Sequence, residues 1–137
     1  MTVDGETVGA IGHGLLLLFC AEPADTDLQA QRLVDKLLKL RIFSDEAGKM
    51  NRSVVDVAGG LLIVSQFTLA ADTSGGNRPS FTGAAGPVQG RQLYEAVLDC
   101  ARRRHPVVAA GRFGADMQVA LVNDGPVTIC IDSRAKE

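Results

Sequence analysis

One stretch decides the fold: Leu61-Leu62-Ile63-Val64-Ser65-Gln66-Phe67-Thr68-Leu69. Its apolar first half follows a Gly-Gly pair and predicts a strand that is buried on both faces. The polar second half continues the alternation of a strand, so successive side chains from position 65 to position 69 are expected to point to opposite sides. Polar groups buried without partners are costly, so these must contact a partner, a ligand or water. The stretch therefore predicts a central strand whose end is the floor of a site.

The composition of the chain is that of an ordinary globular protein. Of its 137 residues, 46% are hydrophobic and 22% are charged. This length fits one domain that buries about two-thirds of its unfolded surface. With five Phe, one Tyr and no Trp, the core must consist of Leu, Val, Ile and Ala. A formal net charge of −2 argues against a general nucleic-acid-binding surface and leaves a local basic patch open.

The cysteines and histidines predict a cytoplasmic protein without a metal or other cofactor. Cys20, Cys100 and Cys130 lie far apart in apolar patterns, which indicates reduced, buried thiols. The two histidines form no spacing typical of a zinc site. The longest apolar run, residues 15–21, is too short to span a membrane, and the first residues lack the pattern of a signal peptide.

The remaining pattern predicts an α/β chain. An Asp-Gly pair near the start indicates a hairpin, residues 15–21 a buried strand, and residues 25–40 an amphipathic helix that begins at Thr26 or Asp25. Residues 88–104 predict a second helix with core positions Leu93, Val97, Cys100 and Ala101. Further strands or extended segments are predicted at residues 41–43, 54–57, 117–122 and 127–131.

Two basic segments allow both a functional and a structural interpretation. The long loop at residues 72–87 contains Asn77-Arg78-Pro79-Ser80-Phe81, which suits a phosphate or base contact but also fits a surface loop anchored by one Phe. Arg102, Arg103 and Arg104 end the second helix and suit an RNA backbone, but they also complement the negative end of the helix dipole.

The usual catalytic patterns do not occur. There is no Gly-x-Ser-x-Gly turn, phosphate loop, dinucleotide fingerprint or paired carboxylate. His13 lies between glycines, either as a group that reaches a ligand or as a solvated turn residue, and His105 precedes a proline. Neither has an evident orienting acid. The end of the central strand offers hydroxyls, one amide and backbone groups, which bind and polarise an ester without a strong base.

Two motifs together closely resemble the paired signature of D-aminoacyl-tRNA deacylases, the D-tyrosyl-tRNA(Tyr) deacylase family. They are Ser65-Gln66-Phe67-Thr68-Leu69 and Asn123-Asp124-Gly125-Pro126-Val127-Thr128. Further matching segments, in the same order, are Arg41-Ile42-Phe43, Gly48-Lys49-Met50-Asn51, Asn77-Arg78-Pro79-Ser80-Phe81 and Phe113-Gly114-Ala115-Asp116-Met117. The resemblance covers nearly the whole chain. Ser65 and Phe67 disfavour the related animal deacylases, which carry Pro-Gln-Ala here.

The resemblance implies a fold and an assembly. Residues 1–137 are expected to form a single α/β deacylase domain with two packed, mostly antiparallel or mixed sheets that are barrel-like. Two main helices are expected on one side, and the domain is expected to form a homodimer. Family members begin with a strand ahead of the segment that matches Thr2-Val3-Asp4-Gly5, so this first strand is expected to be missing here. A missing strand would expose a sheet edge and affect stability more than the site.

The resemblance also implies a function in translation quality control. The expected reaction is hydrolysis of the ester between a D-amino acid, or glycine, and the terminal adenosine of tRNA, assisted by the adenosine 2′-hydroxyl. A non-catalytic module that binds tRNA ends or adenosine nucleotides is the alternative, and a generic esterase is a third. Neither DNA nor a membrane is expected as a partner.

Residue roles follow from the same resemblance. Ser65, Gln66, Phe67 and Thr68 are expected to surround the scissile carbonyl. Gly125-Pro126 is expected to be a cis peptide that enters the partner subunit's site and rejects L side chains by a clash. The other expected substrate contacts are Phe113, Met117 and Asn123, and the expected tRNA contacts are Arg78, Arg102 and Arg103.

Overall fold

The fold is built on a three-stranded parallel sheet. A computed structural model describes residues 1–133. In it, β6 (Gly60–Ser65) lies between β3 (Gly14–Phe19) and β7 (Val108–Ala110). The side chains of the four apolar residues at 61–64 are between 0% and 6% exposed. The prediction of a central strand buried on both faces is therefore confirmed.

Two helices cover one face of this sheet. The first, α1 (Asp27–Lys39), begins after Thr26, whose backbone N–H donates to the Gln29 side chain at 2.7 Å. The second, α2 (Pro87–Arg104), starts with a proline, which loses no helical hydrogen bond at that position. Both helices were predicted within two residues of these bounds. Neither is long and apolar enough to cross a membrane, a finding that covers residues 1–133.

The two faces of β6 pack into separate clusters because side chains alternate along a strand. Leu61 and Ile63 join Val34 of α1 and Val97 of α2 in the larger cluster. On the opposite face, Leu62 and Val64 pack with Met1 and with half-buried residues of the N-terminal segment. The sheet is thus covered by a large cluster of apolar side chains on the helix side and by a smaller one on the opposite side.

Two short hairpins form the other two sheets. The first joins β1 (Thr2–Val3) to β2 (Glu6–Thr7) through Asp4 and Gly5, whose φ values of 51° and 79° are typical of an Asp-Gly turn. The second joins β4 (Phe43–Ser44) to β5 (Met50–Arg52). The Asp-Gly hairpin was predicted, whereas the strand predicted at residues 41–43 overlaps β4 only at Phe43.

The barrel-like arrangement of two mostly antiparallel or mixed sheets was wrong. Residues 1–133 form three separate sheets, none of which closes on itself, and the largest is entirely parallel. The cause is the order of elements. A helix lies between β3 and β6 and another between β6 and β7, and a crossover of this kind returns the chain to a parallel neighbour. The homodimer remains a prediction.

The strands predicted at residues 117–122 and 127–131 are also absent from the described part of the chain. Only Gln118 pairs there, with Thr2, through N–H···O bonds of 2.8 and 2.9 Å. Val122 is 90% exposed, and Cys130, which was predicted to be buried, is exposed as well. An alternating sequence forms a strand only where a neighbour takes up its backbone hydrogen bonds.

Residues 54–57, predicted to be extended, form a turn instead. The N–H of Ser53 donates to the Asp56 carboxylate at 2.8 Å, and the N–H of Asp56 donates to the Ser53 hydroxyl at 3.2 Å. Donation from Ser53 holds the pKa of Asp56 below its ordinary value. This local bonding competes with the strand preference of the valines.

The central strand should dominate the stability of the domain. We expect Leu61→Ala to lower the free energy of unfolding by about 2–5 kcal/mol, because the side chain is fully buried. Leu28→Ala is the matched control, since Leu28 lies on α1 with 51% of its surface exposed. Urea unfolding of both variants measures the difference, and equal losses would contradict the central position of β6.

Candidate functional site

The candidate site lies at the carboxyl edge of the parallel sheet. Phe19 and Ser65 are paired as the last residues of β3 and β6, and the N–H of Gln66 donates to the Phe19 carbonyl at 2.7 Å. Open parallel sheets bind ligands outside the carboxyl ends of their strands. The polar end of the central stretch therefore opens at the edge where a parallel sheet places its ligands.

Beyond Ser65 the chain leaves the sheet. Residues Phe67–Ala70 form a 3₁₀ helix, in which the N–H of Leu69 donates to the Gln66 carbonyl at 3.2 Å. The predicted alternation from residue 65 to residue 69 is therefore wrong. The ladder stops because β3 ends at Phe19, which leaves no strand residue to pair with the next position.

The 3₁₀ helix gathers the predicted catalytic residues. The Gln66 side-chain amide donates to the Thr68 hydroxyl, and both residues are half-buried. Phe67 is 57% exposed, and its ring meets the Phe81 ring edge-on with centroids 5.2 Å apart. Hydroxyl, amide and exposed aromatic groups thus occur together at this edge.

The loop at residues 72–87 folds back over this edge. Asp72 and Ser80 exchange two backbone hydrogen bonds of 2.7 and 2.9 Å, so the exposed Arg78 lies in a closed turn. The N–H of Ala85 donates to the Ala21 carbonyl at 2.9 Å, just beyond the end of β3. The first half of the loop is therefore closed on itself, and the second half is fastened beside the end of β3.

Sequence reasoning missed Cys20 as a member of the site. It follows β3 directly, and its thiol lies 3.6 Å from the Phe67 carbonyl oxygen. Burial, followed by the nearby Glu22 carboxylate, raises the pKa of this thiol, so it stays protonated at neutral pH. Its position one residue after a strand, at the edge that Ser65 shares, was the available signal.

Both histidines lie at the opposite edge of the sheet. The buried His105 ring nitrogen Nε2 is 2.7 Å from the Gly59 carbonyl oxygen. The carbonyl of His13 accepts a hydrogen bond from the N–H of Gly60, and its ring packs edge-on against Phe43. A strand the length of β6 spans about 20 Å. Within one chain, neither histidine reaches Ser65.

The segment with the predicted selectivity residues is an exposed turn. The Gly125–Pro126 peptide is cis. Asn123 shapes the turn, because its side-chain oxygen accepts from the N–H of Val127 at 3.1 Å and its nitrogen donates to the Thr128 hydroxyl at 3.0 Å. Both Gly125 and Pro126 are exposed.

The other two predicted substrate contacts are placed on different faces of the sheet. Phe113 stacks near Tyr94, with ring centroids 6.0 Å apart, and the Arg91 guanidinium lies 5.6 Å from its centroid. Met117 packs in the cluster that contains Leu62 and Val64. Phe113 therefore packs on the helix side of β6, and Met117 packs on the opposite side.

Three exposed arginines end α2, and two of them, Arg102 and Arg103, are the tRNA contacts predicted there. Arg104 binds the Asp35 carboxylate at 3.0 Å, and this hydrogen bond, with a second from Lys39, holds the pKa of Asp35 below its ordinary value. Arg103 lies in a small cleft together with Asp27 and Asp99. Within residues 1–133, no group of His, Cys, Asp or Glu is arranged to hold a metal ion.

A buried tyrosine supports the site from the helix side. The Tyr94 hydroxyl of α2 donates to the Ile63 carbonyl at 2.6 Å, two residues before Ser65. The same carbonyl accepts from the N–H of Gly111 at 3.0 Å. Burial raises the pKa of Tyr94, so the phenol is neutral and remains a donor at physiological pH.

Comparisons with known proteins agree over most of the chain. The D-Tyr-tRNA(Tyr) deacylase family model matches residues 1–132. Proteins named D-aminoacyl-tRNA deacylase from Variovorax paradoxus (strain S110) and Paracidovorax citrulli (strain AAC00-1) are 71% identical over 127 residues, which is 93% of this chain and 87% and 82% of theirs. A solved structure described as c-Myc DNA Unwinding Element Binding Protein has a TM-score of 0.87 at 41% identity, covering 93% of this chain and 87% of its own. A probable eukaryotic D-amino acid tRNA deacylase, with a TM-score of 0.60 at 17% identity over 74% of each chain, shares the fold.

Tyr94 is the only tyrosine of the chain, so its ionisation is directly measurable. We expect the phenolate absorbance to titrate above the ordinary pKa of about 10. Because the unfolded tyrosine ionises first, the free energy of unfolding should fall as pH rises beyond about 10. Spectroscopic titration and urea unfolding at several pH values test this, and Tyr94→Phe should remove the phenolate signal and lessen the pH dependence. An ordinary midpoint would contradict the burial of the phenol.

Proposed function

Because this chain belongs to the D-Tyr-tRNA(Tyr) deacylase family, we propose that it removes D-amino acids from tRNA by a mechanism led by backbone groups and by the substrate's own 2′-hydroxyl. Membership makes the chain an enzyme, a hydrolase of the ester bond in aminoacyl-tRNA. The proposed mechanism rests on one observation, the separation of the predicted catalytic residues from the histidine. Gln66 and Thr68 pair at one edge of the sheet, while His105 contacts Gly59 at the other.

The groups near Thr68 favour a hydroxyl that positions rather than attacks. The Gln66 amide donates a hydrogen bond to the Thr68 hydroxyl and is not basic enough to remove its proton. The Cys20 thiol is protonated at neutral pH because burial raises its pKa. A threonine nucleophile needs a base within hydrogen-bond reach. Water is therefore the nucleophile in our proposal, and the substrate's 2′-hydroxyl assists it.

The start of the 3₁₀ helix supplies donors for the reaction. Its first internal bond runs from the N–H of Leu69, and the first amides of a helix, here those of Phe67 and Thr68, have no partner within it. Such amides stabilise the negative charge that develops on a carbonyl oxygen under attack. Water adds to the carbonyl carbon, the ester C–O bond breaks, and the ribose oxygen takes up a proton.

Exposed aromatic rings suit the terminal adenosine. Phe67 and Phe81 form an edge-on pair beside the Gln66–Thr68 pair, and a base stacks favourably on such rings. Arg78 lies in the same loop as Phe81 and is a suitable phosphate contact. We further assign tRNA contacts to Arg102 and Arg103 at the end of α2, on the strength of the family resemblance.

Chiral selection requires a second copy of the chain in our proposal. The turn at Gly125 and Pro126 is exposed and internally braced by Asn123, which suits insertion into a partner subunit's site. A backbone wall near the substrate's α-carbon would leave room for hydrogen and none for an L side chain. Glycine, which lacks a side chain, would also be accepted, so glycyl-tRNA is a further substrate. Phe113 and Met117 would contribute to the pocket from either side of β6.

The proposed activity is tested with D-tyrosyl-tRNA and L-tyrosyl-tRNA, purified protein and added chelator. We expect rapid loss of the D ester and negligible loss of the L ester, because only the L side chain meets the clash. Tight binding of a D-aminoacyl-adenosine without turnover would favour the alternative, a non-catalytic module. Equal hydrolysis of both esters, or of simple activated esters without tRNA, would indicate a generic esterase.

Thr68→Ala tests the assignment of water as the nucleophile. We expect kcat/KM to fall no more than about tenfold, whereas loss of a nucleophile costs about 10⁴–10⁶. Thr68→Ser is the matched control, because it keeps the hydroxyl that Gln66 contacts. A trapped acyl-enzyme on Thr68, detected by mass spectrometry, would contradict the mechanism.

A further inference from the structure

A concave surface lies along α1, apart from the candidate active site. It is a groove of about 930 Å³ between the exposed side of this helix and the segment that contains Ile131 and Ser133. The Lys and Arg side chains that line it are Arg32, Lys36, Lys39, Arg41 and Arg104. Its only lining carboxylate among residues 1–133 is Asp35. We call this surface the basic groove.

The basic groove concentrates positive charge in a chain that is acidic as a whole. Five of the 14 Lys and Arg residues line it against one carboxylate, although the formal net charge of the chain is −2. Asp35 is shared by Lys39 at 3.1 Å and Arg104 at 3.0 Å, so one negative charge is divided between two cations. Among residues 1–133, the basic side chains that line the groove therefore outnumber the carboxylates by five to one.

The cations are arranged along a line and partly fixed in place. Arg32, Lys36 and Lys39 follow helical spacing, which puts successive side chains of one face about 5–6 Å apart. At the far end, the Arg41 guanidinium donates to the Asn51 carbonyl and to its side-chain oxygen, each at 3.0 Å. A linear row of this kind matches a chain of phosphates better than a compact anion.

The groove leads away from the candidate active site. The Gln89 side chain of α2 donates to the carbonyls of Pro23 and Asp25, which precede α1, and Arg104 at the end of α2 binds Asp35. The two helices therefore run side by side in the same direction, from the carboxyl edge of the sheet to its amino edge. With 13 residues, α1 carries the groove over about 20 Å.

We propose that the basic groove binds the phosphate backbone of the tRNA acceptor arm while the aminoacylated 3′ end occupies the site at Ser65 and Thr68. The inference rests on the proposed function. Phosphate contacts fix register and orientation without reading sequence. Because Asp27 and Asp99 share the cleft of Arg103, we expect more phosphate contacts from the groove than from the end of α2.

The first test compares two substrates with the double variant Arg32→Glu/Lys36→Glu. For D-tyrosyl-tRNA we expect KM to rise about tenfold or more, because two phosphate contacts become repulsive. For D-tyrosyl-adenosine, which has no acceptor arm, kcat and KM should not change. The matched control is Lys49→Glu/Arg112→Glu, which makes the same charge change at two exposed positions that do not line the groove.

A second measurement uses salt. Arg32→Gln and Lys36→Gln should each reduce the slope of log affinity for uncharged tRNA against log salt by about 1. This binding experiment gives its result even if the protein hydrolyses neither ester. Failure of the proposed function would appear as wild-type protein that leaves both D esters intact, whatever the tRNA affinity.

Three outcomes would overturn the groove assignment. The first is an unchanged KM and salt slope in the groove variants. The second is an equal loss in the Lys49→Glu/Arg112→Glu control, which would indicate a general response to charge. The third is that the wild-type protein binds a DNA duplex as tightly as tRNA and that the groove variant loses affinity for the two nucleic acids equally. This result would make the groove a general polyanion site.

Discussion

The structure depends on one constraint, the burial of β6 on both faces while both of its edges are hydrogen bonded. Such a strand cannot carry polar side chains until it ends, so its chemistry begins at its last paired residue, Ser65, and continues in the residues that follow. The α2 segment supports it at both ends, through His105 on the Gly59 carbonyl and Tyr94 on the Ile63 carbonyl. The position of Ser65 is thus determined by packing and by backbone bonds that lie outside the site.

Sequence reasoning succeeded where burial alone determines the structure. The apolar run at residues 61–64 is long enough to fill both faces of a sheet, and the helical spacing of Val97, Cys100 and Ala101 can be satisfied by only one face of a helix. Sequence reasoning failed where the conformation of a segment depends on the strand that lies beside it. Phe67, Thr68 and Leu69 alternate as a strand would, but β3 ends beside Ser65, and the chain turns into a 3₁₀ helix.

The sequence predicted part of the candidate site, because part of it depends on the central strand alone. Ser65 to Thr68 follow the central strand, so their position at its end was predictable from the sequence. Cys20 was not recognised, because a cysteine after an apolar run looks like a core residue, and only the parallel register of β3 with β6 brings it beside Phe67. The cations of the basic groove are spread over residues 32–104, and α1 and α2 must pack before they form one surface.

The absence of a histidine near Ser65 has a consequence for how specificity and rate are related in this fold. A site with a strong general base would hydrolyse any ester that reaches it, and it would have to reject L substrates by binding alone. In the proposed mechanism the substrate supplies the assisting 2′-hydroxyl, so only an ester on a correctly seated ribose is activated. Seating then depends on the rings of Phe67 and Phe81 at the terminal base and on phosphate contacts further along the acceptor arm. On this view, positioning by remote contacts supplies the rate that a resident base would otherwise provide.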